Sequence, residues 1–81
     1  MTNINIGINT FHKTIKIYED IDLNHLCNMI NYKYKNFRED NLVPYTLINE
    51  DETWTRRIKV DPYFLQRYVN DAINHIKQIK S

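Results

Sequence analysis

The sequence predicts an α+β fold, a small two-layer sandwich in which two helices cover one face of a four-stranded, mainly antiparallel sheet. Three observations carry that expectation. Ile4, Ile6 and Ile8 alternate with Asn3, Asn5 and Asn9, the period of a half-buried strand. Two later stretches space their apolar residues helically, each behind an aspartate placed to cap it, Asp22 and Asp61. And one phrase occurs twice: residues 10–17 and 53–60 both read Thr, aromatic, any, basic, any, Ile, Lys, branched aliphatic.

The first strand is expected over 3–9 and the second over 13–18, with Ile15 and Ile17 inward and Thr14, Lys16 and Tyr18 outward. The short 9–12 connection between them implies an antiparallel hairpin. Leu23, Leu26, Cys27, Ile30, Tyr34 and Phe37 then form one narrow stripe, which predicts a helix over 23–36 behind Asp22. A polar loop, Arg38-Glu39-Asp40-Asn41, follows it. Residues 42–48 read as a third strand, with Pro44 placing it at an edge or marking its start. An acidic turn, Asn49-Glu50-Asp51-Glu52, leads to a fourth strand over 53–60. There alternation sends Trp54, Arg56, Ile58 and Val60 inward and Thr55, Arg57 and Lys59 outward; Lys13 falls inward in the first copy of the phrase. Asp61-Pro62 reads as an N-cap followed by proline at the first helical position, predicting a second helix over 62–79. Its broad apolar face runs from Phe64, Leu65, Tyr68 and Val69 to Ala72, Ile73, Ile76 and Ile79.

The order is therefore ββαββα in one domain spanning residues 1–81, and the repeated phrase raises a duplication of half-repeats 3–37 and 42–79. A chain of 81 residues buries roughly 60–65% of the surface its unfolded form exposes, enough for one modest core. With 42% hydrophobic and 26% charged residues the composition is globular, and a net charge of +1 gives no global pull toward nucleic acid or anionic membrane. No apolar run is long enough to span a bilayer, no secretory signal is visible, and the single cysteine cannot form an internal disulfide, so a cytoplasmic location is expected. The abundance of Ile, Asn, Lys and Tyr reflects AT-rich codons and points to a low-GC genome, a setting in which short phage and mobile-element proteins are common.

Chemistry is sparse. His25 and Cys27, two apart on a helix, face different sides and do not share a metal ion. Asp71 and His75 are four apart and suit an acid/base pair, but the only serine is Ser81, and a surface ion pair is the simpler expectation. Gly7 alone builds no phosphate loop, and Glu50-Asp51-Glu52 lacks the alternation of a calcium loop. The expectation is no enzyme, with no catalytic residue, cofactor or metal site.

Binding remains. Tyrosine offers contact area with few rotamers to freeze, and Tyr18, Tyr32, Tyr45 and Tyr63, with Tyr68 beside them, are expected to reach the surface. Arg56, the odd inward residue, is expected to snorkel at the sheet's rim and meet a partner there. These residues point to a protein-binding module, a regulatory or inhibitor protein of a phage or mobile element acting on a host protein, with a homodimer as a further expectation. The alternative is a nucleic-acid-binding domain that uses the open sheet face through Lys16, Thr55, Arg57 and Lys59.

Overall fold

The computed structural model describes residues 4–35 and 41–80, with side chains as far as Gln78. Its elements are β1 (Ile6–Asn9), β2 (Thr14–Ile17), α1 (Leu23–Lys33), β3 (Val43–Asn49), β4 (Thr55–Val60) and α2 (Leu65–Lys80). The strands form one sheet in the order β1-β2-β3-β4. Two antiparallel hairpins, β1–β2 and β3–β4, meet at a parallel β2–β3 seam. A parallel pair needs a crossover, and α1 provides it, starting beside the end of β2 and returning the chain to the start of β3.

The alternation of the isoleucines sets which face is buried. Ile15, Ile17, Leu47, Ile58 and Val60 of the sheet pack with Leu26 and Ile30 of α1 and Val69, Ile73 and Ile76 of α2 in one core. Each such side chain contributes about 1.5–3 kcal/mol on burial. The opposite face has an exception: Ile48 is buried there, between Lys16 and Thr55 in the sheet register.

Local chemistry marks most boundaries. Asn9 closes the first hairpin, its Oδ1 accepting from the Phe11 and His12 N–H groups at 3.0 and 2.9 Å. Lys13 finishes that turn at φ 57°, so it leaves the strand alternation and stands exposed instead of inward. Asp22 caps α1, its carboxylate accepting the His25 N–H at 3.2 Å. The helix ends at Lys33, earlier than its apolar stripe suggests, and Tyr34 donates its N–H to the Ile30 carbonyl in the closing turn. Phe37 and the polar residues 38–40 lie outside the described residues, as do Asn3 and the Ile79 side chain.

One expectation is corrected and one is narrowed. Asp61 does not start the second helix directly: its carboxylate accepts from the Tyr63 N–H, and its carbonyl accepts from the Phe64 N–H. Those bonds close a separate turn over 62–64, and α2 begins at Leu65. Of its two expected settings Pro44 takes the start of β3, as its second residue, and not an edge, since β3 is interior. The parallel ladder to β2 begins only at Thr46, so the missing proline N–H falls outside it. The repeated phrase thus occupies unlike settings: β2 lies inside the sheet, and β4 forms its edge, running antiparallel to it.

Candidate functional site

The register defines two ends. The hairpin turn after β1, the end of α1 and the turn before α2 share one end, and the β2–α1 link, the acidic turn and the last turns of α2 share the other. The residues expected to meet a partner are scattered between them. Tyr18 lies half exposed at the second end, against carboxylate-bearing residues Glu19, Asp20, Glu50 and Asp51. Tyr32 and Tyr63 are 71% and 85% exposed at the first end. Tyr45 does not reach the surface at all. It is 3% exposed, because Pro44 takes the outward position and the register sets Tyr45 opposite Ile58 in the core.

An aromatic and basic surface assembles where α1 ends and α2 begins. The Tyr34 and Tyr68 rings meet edge-to-face at 5.4 Å, and Tyr63 and Phe64 do so at 4.9 Å. The Lys33 ammonium lies 5.4 Å from the Tyr68 ring and that of Lys35 lies 4.4 Å from Tyr32. Lys33, Tyr34, Phe64, Arg67, Tyr68 and Asp71 line a groove of about 280 Å³. Phe64, expected on the buried face of the second helix, is 52% exposed because the Asp61 turn swings it out of the helical phase. Burial pushes both the Tyr34 and Tyr68 phenols above their ordinary range, reinforced by Asp61 at the first and Asp71 at the second, so both rings are neutral near pH 7.

The open sheet face is less basic than its sequence suggests. Cross-strand rows run Asn9–Thr14–Thr46–Arg57 and Gly7–Lys16–Ile48–Thr55. The Lys16 ammonium lies 3.4 Å from the Glu52 carboxylate, so the acidic turn neutralises it. Lys59 also makes an interaction of its own. Thr55 and Arg57 are exposed on the edge strand.

Arg56 and Arg57 come together despite their alternation. Both line one open groove of about 550 Å³ at the sheet edge beside α1, shared with Asn24, Cys27, Asn28 and Asn31. Arg56 is exposed and lies beside α1. Burial pushes the Cys27 thiol up, with the Arg56 guanidinium opposing it, and Asn31 Nδ2 donates to Cys27 Sγ at 3.6 Å. A thiol so held is poorly suited to act as a nucleophile. The three asparagines were not singled out from sequence, although their 24, 28, 31 spacing is that of one helix face.

Asp71 and His75 form no ion pair or hydrogen bond with each other among the described residues. Asp71 instead lines the groove with Arg67 and Lys33, and His75 is exposed. Among the described residues no three His, Cys, Asp or Glu side chains gather as a metal would require, and no helix is long and apolar enough to cross a membrane. No family model, curated protein or solved structure matches this chain.

Proposed function

We propose that this chain is a non-enzymatic protein-binding module whose contact surface is the aromatic and basic end formed by the last turn of α1 and the entry to α2. One observation carries the proposal: exposed Tyr63 and Phe64 adjoin a groove floored by neutral tyrosine rings, where Lys33 and Arg67 outnumber the one carboxylate, Asp71. Charge complementarity specifies the partner, a protein presenting an apolar side chain within an acidic segment. Two features support the non-enzymatic part of the proposal, the buried protonated thiol of Cys27 and the separation of Asp71 from His75. The Ile-, Asn-, Lys- and Tyr-rich composition supports the wider setting, an accessory protein of a phage or mobile element that modulates a host protein in the cytoplasm.

A nucleic-acid interface on the open sheet face has weaker support, since Lys16 is paired with Glu52. The test is a pull-down from host lysate with and without nuclease, using the parent chain, Phe64→Ser and Arg67→Glu. The proposal expects a defined protein that survives nuclease and is lost with either substitution. Retention unchanged by both substitutions, or loss on nuclease treatment, overturns it. A dimer in light scattering that dissociates on Phe64→Ser also overturns it, by giving the surface to a second copy of this chain.

A further inference from the structure

A different surface carries a second kind of binding. We propose that the groove between α1 and the β4 edge binds a phosphate group in its dianionic form, held by the Arg56 and Arg57 guanidinium groups and by the amides of Asn24, Asn28 and Asn31.

The lining contains two guanidinium groups, three carboxamides and one buried thiol, with no carboxylate. Among the described residues neither arginine has an ion-pair or hydrogen-bond partner. Other cations are engaged elsewhere: Lys16 with Glu52, Lys77 with Glu19, and Lys13 with the Thr10 carbonyl at 2.8 Å. Two guanidinium groups sharing one groove carry like charge, and an anion held between them offsets their repulsion. A charged edge strand also discourages unwanted strand pairing. That role asks only for charge on β4, and it leaves unexplained an amide row facing the arginines from another element.

The charge and the donors select phosphate over carboxylate. One guanidinium fork already engages both oxygens of a carboxylate and balances its single charge. A phosphate group near pH 7 carries about −1.5 to −2 and offers three terminal acceptor oxygens, matching two forks plus amide donors. No aromatic ring lines the groove, so it has no platform on which a base would stack. The recognised element is the phosphate itself, whether inorganic or the monoester of a nucleotide.

The experiment is a titration of the labelled full chain followed by NMR. Its probes are inorganic phosphate, adenosine 5′-monophosphate, and a single-stranded oligonucleotide with and without a 5′-phosphate. The expected result is saturable shifts at the side-chain amides of Asn24, Asn28 and Asn31 and at the arginine Nε–H groups. Inorganic phosphate acting alone identifies a free anion as the source, and tighter binding of the nucleotide identifies a monoester; either result supports the site. Arg56→Gln and Arg57→Gln, both at exposed positions, should each weaken binding about tenfold, a loss of roughly 1.4 kcal/mol, with an unchanged circular dichroism spectrum. Lys16→Gln should leave it unchanged. Absence of shifts in this groove, equal binding of a glutamate-rich peptide, or equal binding of the unphosphorylated oligonucleotide overturns the proposal. Loss of protein binding through Phe64 leaves this titration intact, so the two proposals fail separately.

Discussion

Replacing Glu19 with glutamine should weaken the fold at neutral pH and weaken it less in acid. Glu19 lies just beyond β2, where one of its oxygens accepts the Asn5 N–H at 2.9 Å and the other pairs with Lys77 of α2. One carboxylate thus joins the approach to β1, the exit from β2 and the last turns of α2. The Lys77 hydrogen bond, then the Asn5 N–H, hold its carboxyl below the usual range, with burial opposing them. A folded pKa below the unfolded value of about 4.3 means the stabilisation is present above that pH and is lost as pH falls through the folded pKa. A hydrogen bond to a charged group contributes about 1.5–3 kcal/mol. The Glu19 side chain is only 10% exposed, but that of Lys77 is 34% exposed and water screens the pair. Glutamine also keeps an acceptor for Asn5, so the expected loss is about 1–2 kcal/mol. For a domain of this size that lowers the melting temperature by roughly 4–16 °C. Thermal and urea unfolding of both proteins, followed by circular dichroism at pH 7 and pH 3, measures it. Equal stability at pH 7, or a gap that does not narrow as the pH is lowered, would refute the reasoning.

Three further outcomes are expected. Lys13→Gly should raise the urea midpoint by the equivalent of about 0.5–1 kcal/mol, because Lys13 holds a left-handed φ of 57° that glycine adopts freely; a lower midpoint would show that its Nζ bond to Thr10 matters more. Ile73→Ala, at a position with no exposed surface, should cost about 2–5 kcal/mol in the same assay, and a smaller loss would mean that the core collapses around the gap. Cys27 should react with a thiol reagent at pH 8 far more slowly in the folded chain than in urea, and more slowly still in Arg56→Gln, since burial raises its pKa and Arg56 pulls it down; a folded rate equal to the unfolded one contradicts this.

What the sequence made legible was whatever depends on neighbours a few positions apart. The Ile6–Ile8 and Ile15–Ile17 alternation gave the buried face, and Asp22 gave the start of α1 to the residue. Asp61 carries the same capping chemistry but spends it on a tighter turn, and composition alone does not separate the two uses. The parallel β2–β3 seam has no local signature, because it depends on where α1 sets the chain down. Surfaces were harder still. Period-two alternation separates Arg56 from Arg57, and only the edge position of β4 lets both reach one groove. Tyr45 was expected at the surface, and the register with β4 sets it opposite Ile58 in the core instead.

The parallel seam also determines the order in which this chain can assemble. Each hairpin closes a short loop and can form on its own within about 1–10 μs. The β2–β3 ladder unites them only after α1 has crossed the sheet, which imposes the entropy of a long loop before any seam hydrogen bond compensates it. Until then, β2 and β3 each present an unpaired edge to the solvent. In the finished sheet the seam gives both strands a second partner, so only β1 and β4 keep an edge.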